Sequence, residues 1–205
     1  MTKILLLNSS PRNDSVSIKV ANELVAKIRS NSKSSTVIER DLTKDVLPHI
    51  GEDFVVGSRI EAEKRNATQQ AAVELSDKLI AELVAADTLV IASPMFNFGP
   101  ATTLKSWFDY ILRAGVTFKY TEKGPEGLLK GKKVYVAIAR AGIYSEEPMK
   151  AIDFQEPYLR HLLGFAGMTD VTFVKVEGIA YGPEVAEKAL QAALDSIPEL
   201  LAKAA

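Results

Sequence analysis

Short apolar runs alternate with longer amphipathic stretches along most of this sequence. Runs such as KILLLN (3–8) and TLVIAS (88–93) are continuously apolar, as expected for strands buried on both faces. The stretches between such runs place apolar residues at helical spacing. This alternation predicts strands at 3–8, 35–42, 88–93, 132–139 and 171–178, and helices at 17–30, 66–86, 100–113 (opened by Pro100), 153–163 and from Pro183 onward.

Strands that alternate with helices are typical of a parallel sheet, so the predicted fold class is α/β with helices on both faces of the sheet. Right-handed crossovers favour the strand order 2-1-3-4-5, with strand 35–42 near an edge. The 205 residues suit one domain, 1–205. Two long connections, 43–65 and 115–128, are either lids or partner contacts, or variable surface loops.

Composition excludes several classes of function. The chain has no Cys, so disulfides, thiolate catalysis and Cys-based metal sites are excluded, and no metal site is predicted. With 25 basic and 26 acidic residues, neither nucleic acid nor a membrane surface is expected as a partner. The apolar stretch at the N-terminus is too short for a signal peptide. We therefore expect a soluble cytoplasmic protein.

Ligands of such sheets bind at the carboxyl ends of the strands, and the first loop there is NSSPRNDSVS (8–17). It leads into a helix N-terminus, which favours anions. Four serines, Asn13 and Arg12 add donors and charge, whereas the absence of Gly excludes the dinucleotide and NTPase phosphate loops. The loop predicts a site for a terminal phosphate; a Ser-rich turn with a capping Ser is the alternative.

A serine hydrolase is a further alternative for this loop, with Ser9 or Ser10 as nucleophile. Such a nucleophile needs a base nearby, and the only histidines are His49 and His161. The G-x-S-x-G motif is also absent. The sequence therefore disfavours hydrolysis.

The second and third loops carry aromatic residues and backbone amides suited to a flat ring. SPMFNFGP (93–100) supplies an apolar wall and the amides of Asn97 and Phe98. ARAGIYS (139–145) offers close backbone approach at Gly142 and a ring at Tyr144. Beside a phosphate site, these loops favour a planar heteroaromatic phosphate, and flavin mononucleotide (FMN) fits best. Trp107 and Phe108 lie on a core-facing helical stripe instead.

Three longer motifs resemble a known family. PMFNF (94–98), RAGVTFKYTEKGPEGL (113–128) and EGIAYGPE (177–184) are similar to the bacterial FMN-dependent NADH:quinone oxidoreductases called azoreductases. The resemblance implies a flavodoxin-like fold and a homodimer with FMN at the subunit interface. It also implies two-electron transfer from NADH or NADPH to quinones and azo compounds by a ping-pong mechanism.

The resemblance also implies which residues form the site. Because the flavin carries the chemistry, no catalytic side chain is expected. The implied cofactor-binding residues are Ser10, Ser15, Val16, Ser17, Met95, Phe96, Asn97, Phe98, Ala139, Arg140, Ala141, Gly142 and Tyr144. Those expected to contact the substrate are Arg59, Phe118, Tyr120 and Tyr144; for Arg59 a solvated charge is an equal alternative.

Some positions depart from the family pattern. The third loop reads Ala-Arg-Ala-Gly-Ile-Tyr where the family has Ser-Arg-Gly-Gly-Ile-His, and Leu162 stands where an aromatic residue is frequent. Hydrogen bonding to the ring is therefore expected to rely on backbone amides. The main alternative function is a non-enzymatic electron carrier of the flavodoxin type, which the net charge of −1 disfavours. A flavin-free domain of the same fold is a third possibility.

Overall fold

A computed structural model describes residues 1–203, so the last two residues of the expected domain 1–205 lie outside the described part. The strands are β1 (Thr2–Asn8), β2 (Ser35–Asp41), β3 (Thr88–Phe96), β4 (Gly99–Pro100), β5 (Phe118–Thr121), β6 (Gly124–Gly127), β7 (Lys133–Ala139) and β8 (Asp170–Val176). The helices are α1 (Val16–Ser30), α2 (Glu52–Gly57), α3 (Ala67–Ala85), α4 (Thr102–Ile111), α5 (Glu156–Phe165) and α6 (Pro183–Lys203).

The main sheet confirms the expected topology. Its parallel strands run in the order β2-β1-β3-β7-β8, which is the predicted order 2-1-3-4-5 with the second strand at an edge. This arrangement brings the carboxyl ends of β1, β3 and β7 next to one another. The three loops singled out in the sequence therefore leave the sheet side by side.

Alternation along β1 divides the core into two layers. Leu5 and Leu7 pack with residues of α3, α4 and α5 on one face of the sheet. Ile4 and Leu6 pack with residues of α1 and α6 on the other. Because successive side chains of a strand point to opposite faces, both layers are anchored by the same strand. Trp107 and Phe108 are fully buried in the first layer, as expected.

The start of the helix predicted at 100–113 is wrong. Pro100 belongs to β4, which pairs antiparallel with the end of β3, and α4 begins at Thr102. The third strand is correspondingly longer than predicted, ending at Phe96 rather than residue 93. The chain therefore leaves the sheet as a tight hairpin, and that hairpin forms the second loop.

Both long connections are packed segments with secondary structure of their own. The first contains α2, whose Phe54 is buried and lies 4.7 Å from the Tyr110 ring. The second forms the antiparallel hairpin β5–β6. Gly127 in that hairpin approaches Gly167 so closely that an added Cβ would lie 2.1 Å from its backbone nitrogen. Within residues 1–203, no helix is both long and apolar enough to cross a membrane.

Candidate functional site

A cleft of about 380 Å³ opens where the first three loops meet at the carboxyl edge of the sheet. This size lies within the range of roughly 300–1,000 Å³ usual for small-molecule sites. All three loops and the segment after β8 contribute to it. Its lining consists of Ser10, Arg12, Asp14, Ser15, Val16, Pro94, Met95, Phe96, Ala139, Arg140, Ala141, Ile179 and Ala180.

The first loop delivers the start of α1 to this cleft without a side-chain cap. Ser15 occupies the N-cap position with extended backbone, yet its side chain makes no capping hydrogen bond. Its hydroxyl instead pairs with that of Ser17, at an Oγ–Oγ distance of 3.0 Å. The N–H groups of the first turn are therefore not used by a side-chain cap and can donate to a ligand. Such N–H groups at a helix start favour a phosphate. The structure therefore does not support the alternative interpretation of this loop, a Ser-rich turn with a capping Ser.

Ser9 is not one of the donors, contrary to the sequence-based expectation. Its buried hydroxyl donates to the Ala92 carbonyl at 2.7 Å, because the loop folds back onto β3. Ser10 lines the cleft, and its hydroxyl accepts from the Arg12 N–H at 3.4 Å. Within residues 1–203, neither hydroxyl is hydrogen-bonded to a histidine, and both histidines are exposed. The base that a serine hydrolase needs is thus missing.

Arg12 and Asp14 form an exposed ion pair at the rim of the cleft, with Nη2 and Oδ2 2.9 Å apart. The hydrogen bond and charge of Arg12 hold the pKa of Asp14 below its usual range, so the carboxylate is ionised at neutral pH. Arg12 therefore does not bring a free positive charge to the cleft. Attraction for an anion rests mainly on the helix N-terminus and the serines.

The second loop turns through two residues in the left-handed region, Asn97 (φ 47°) and Phe98 (φ 71°). Two-residue hairpin turns of type I′ need positive φ at both central positions, which is unfavourable for a residue such as Phe. Among residues 1–203, no acceptor pairs with the N–H groups of Asn97 and Phe98. The rings of Phe96 and Phe98 are 44% and 43% exposed. The turn thus presents free amides beside an apolar wall.

The third loop presents a second pair of free amides. No hydrogen bond from the N–H of Ala141 or Gly142 reaches any acceptor in the described part of the chain. The Tyr144 ring lies close above Gly142: a Cβ there would be 3.3 Å from Tyr144 Cε2. A Cβ at residue 142 would therefore require the Tyr144 ring to shift by a few tenths of an ångström.

Comparison with known proteins assigns the chain to a family. The family model for the flavodoxin-like fold, Flavodoxin_2, matches residues 2–201. An FMN-dependent NADH:quinone oxidoreductase of Agrobacterium fabrum is 50% identical over 201 residues, which is 98% of both chains. An azoreductase from Bacillus anthracis has a TM-score of 0.90 at 32% identity, covering 98% of both chains. An FMN-dependent NADH-azoreductase of the same species, solved in complex with FMN, has a TM-score of 0.86 at 29% identity and covers 98% of this chain and 99% of that one.

The chain belongs to the family of FMN-dependent NADH:quinone oxidoreductases and azoreductases.

The remaining predicted site residues lie in different parts of the structure. Ser17 is fully buried beneath the cleft, behind Ser15. Arg59 is exposed on the first long connection, and Tyr120 is 74% exposed at the β5–β6 hairpin. Phe118, by contrast, is buried, with its ring 4.5 Å from that of Phe165. Within a single chain, the Phe118 side chain therefore supports the β5–β6 hairpin and does not face solvent.

Arg140 reaches the cleft through its backbone, while its guanidinium group turns into the protein. That group is fully buried and pairs with Asp153 at 2.8 Å and Glu177 at 2.9 Å. Gln155 bridges it to the end of β3. Sequence reasoning missed these three partners. The signal for Glu177 was available, since it opens the EGIAYGPE motif that carries the family resemblance.

Proposed function

We propose that this chain is an FMN-dependent oxidoreductase that passes two electrons from NADH or NADPH to quinones and azo compounds. One observation carries the proposal. The uncapped start of α1, the apolar side chains of Met95 and Phe96 and the unbonded amide residue Ala141 line one cleft. The other unbonded amides, at Asn97, Phe98 and Gly142, follow these lining residues directly in the chain. Family membership supports the same conclusion.

The residues of the site fit FMN in charge and shape. The first turn of α1 and the hydroxyls of Ser10 and Ser15 would hold the singly esterified phosphate, with Ser17 fixing the Ser15 hydroxyl. Met95 and Phe96 would pack against the flat ring. The amide pairs at Asn97–Phe98 and Ala141–Gly142 would hold polar ring edges from two sides. Val16, Ala139, Arg140 and Tyr144 complete the proposed cofactor-binding set.

FMN, when bound, would supply the two-electron chemistry that no side chain of this protein offers. The residues of the cleft would orient the ring, and donor and acceptor would use one slot in turn, as in a ping-pong mechanism. The unbonded amides of Ala141 and Gly142 would be preorganised donors to negative charge on the reduced cofactor. Removing one such donor typically costs about 3 kcal/mol of transition-state stabilisation.

The finer proposals are a single FMN-binding domain over 1–205, a homodimer and a cytoplasmic location. Exposed apolar rings support the dimer: Tyr120, Phe154 and Tyr181 are 74%, 61% and 60% exposed. A second copy of the chain would cover such rings. Light scattering coupled to gel filtration measures the stoichiometry directly.

The proposed activity is tested by adding FMN to purified protein and then supplying substrates. We expect a yellow complex with one FMN per chain, bleaching by NADH, and sustained NADH oxidation with menadione as the only acceptor. Turnover without a protein partner separates an enzyme from an electron carrier. A protein that takes up no FMN would overturn the proposal.

A further inference from the structure

The segment after β8, residues 177–180, is bonded to the third loop along its backbone. The N–H groups of Gly178, Ile179 and Ala180 donate to the carbonyls of Gly142, Arg140 and Ala141, at 3.0, 3.2 and 3.0 Å. These bonds occupy the carbonyl side of residues 140–142. The N–H groups of Ala141 and Gly142 are left on the other side, without protein acceptors in residues 1–203.

The carboxylate of Glu177 holds the next part of the same loop. Its Oε1 accepts from the backbone N–H of Tyr144 at 2.9 Å and from Arg140 Nη1 at 2.9 Å. Its Oε2 accepts a short hydrogen bond from the Ser145 hydroxyl. One side chain therefore ties the loop at residues 140, 144 and 145.

The other ends of this network reach the second loop and α5. Arg140 also pairs with Asp153, whose carboxylate accepts from the N–H groups at the start of α5. Gln155 accepts from Arg140 and donates to the carbonyl and hydroxyl of Ser93, the first residue of the second loop. The Arg140 guanidinium is fully buried between two carboxylates that are themselves largely buried. A buried charge of this kind holds its partners in one arrangement, because losing a partner is costly.

We propose that Glu177 is a positioning residue: it fixes the third loop so that the Ala141 and Gly142 amides and the Tyr144 ring face the cofactor slot. The inference rests on the proposed function, since the slot is assigned to FMN. Glu177 itself does not line the cleft; it acts through Tyr144, Ser145 and Arg140.

The test compares Glu177→Gln with Glu146→Gln, which makes the same charge change on an exposed side chain directly after the third loop. Hydrogen–deuterium exchange on the flavin-free proteins measures directly how firmly the third loop is held. We expect faster exchange in Glu177→Gln in peptides covering 140–145, with peptides covering α1 unchanged. FMN titration should give a dissociation constant raised about tenfold in Glu177→Gln, as expected when hydrogen bonds to a charged group are weakened. Glu146→Gln should match wild type.

A reduction potential separates positioning from general support of the fold. If misplaced amides weaken the binding of reduced FMN tenfold more than that of oxidised FMN, the potential of this two-electron couple falls by about 30 mV. Equal FMN affinity, potential and exchange in the two variants would overturn the inference while leaving the proposed function intact. Failure of wild type to bind FMN would instead overturn the function. Should Glu177→Gln not fold, Glu177→Asp, which keeps the charge but shortens the arm, takes its place in all three measurements.

Discussion

The Tyr144 ring meets the Phe98 ring edge-on, with centroids 6.3 Å apart and planes inclined at 77°. Phe98 lies in the turn after β3 and Tyr144 in the loop after β7, so this contact joins two of the three site loops. Edge-to-face pairs are a favoured arrangement of aromatic rings. The pair makes a rim on which a flat substrate ring can pack. Removing one ring of the pair should therefore weaken the binding of the acceptor.

Tyr144→Ala removes half of this rim. We expect KM for menadione to rise about 2- to 12-fold, as the loss of roughly 0.5–1.5 kcal/mol from one aromatic contact with the substrate would give. Tyr144→Phe should stay close to wild type, because the phenol hydroxyl makes no hydrogen bond with any residue in 1–203. Steady-state kinetics at saturating NADH measure both. A Tyr144→Phe variant as impaired as Tyr144→Ala would assign the role to the hydroxyl.

Ser15→Ala tests the phosphate site. Removing the Ser15 hydroxyl should weaken FMN binding by about 1–2 kcal/mol, since hydrogen bonds to charged groups are the stronger ones. Riboflavin, which lacks the phosphate, should bind both proteins equally. Fluorescence titration gives both affinities, and Ser30→Ala at the other end of α1 is the control. An equal loss for both ligands would place the phosphate elsewhere.

Phe98→Gly and Phe98→Ala separate the strain of the turn from the function of the ring. Both variants lose the ring and should bind FMN more weakly. Only Gly relieves the left-handed backbone at φ 71°, which costs an L-residue roughly 1–2 kcal/mol. In urea unfolding without flavin, we therefore expect the free energy of unfolding of Phe98→Gly to exceed that of Phe98→Ala by about 1 kcal/mol. Equal stabilities would mean that the turn carries no strain.

Gly127→Ala and Gly164→Ala should change stability in opposite directions. A Cβ at Gly127 would lie 2.1 Å from Gly167 N, so the β5–β6 hairpin must leave its place. We expect a loss above about 3 kcal/mol, beyond the roughly 0.5–3 kcal/mol that most single substitutions cost. Gly164 lies within α5 with open space around it, and Ala there should stabilise by up to about 1 kcal/mol. Thermal unfolding of both variants checks the pair.

The sequence predicted the fold well because its signals were local and periodic. The continuous apolar runs of β1 and β3 and the helical stripe of α1 gave the α/β order and the position of the site loops. The error at Pro100 arose from a true local rule, since Pro does favour helix starts. Here the pairing of Pro100 with Met95 in the hairpin was stronger than that preference.

Side-chain direction was the part that local patterns could not provide. Ser9 and Ser10 are adjacent and chemically identical, yet one hydroxyl is used by the Ala92 carbonyl and the other lines the cleft. Arg140 was placed at the site, but its charge is neutralised by residues 13 and 37 positions further along the chain. The pairing with Glu177 depends on the parallel register of β7 and β8, and the pairing with Asp153 depends on where α5 begins, not on neighbouring sequence.

The free energy of unfolding should depend on pH in the acid range in a way that reveals the contribution of Glu177. Burial by itself raises the pKa of this carboxyl, but hydrogen bonds from Ser145 and Tyr144 and the guanidinium of Arg140 together bring the pKa below its ordinary value. The folded state therefore binds this proton less readily than the unfolded state, whose glutamates titrate near about 4.3. The stabilisation is fully present above that pH and is lost as pH falls through the lower, folded pKa. Wild type and Glu177→Gln should thus differ in free energy of unfolding at pH 7, and the difference should shrink as the pH falls below about 4.3. Urea unfolding at a series of pH values measures the difference, in which the other carboxyls cancel. A difference that stays constant down to pH 3 would mean that Glu177 is not held as a charged partner of Arg140.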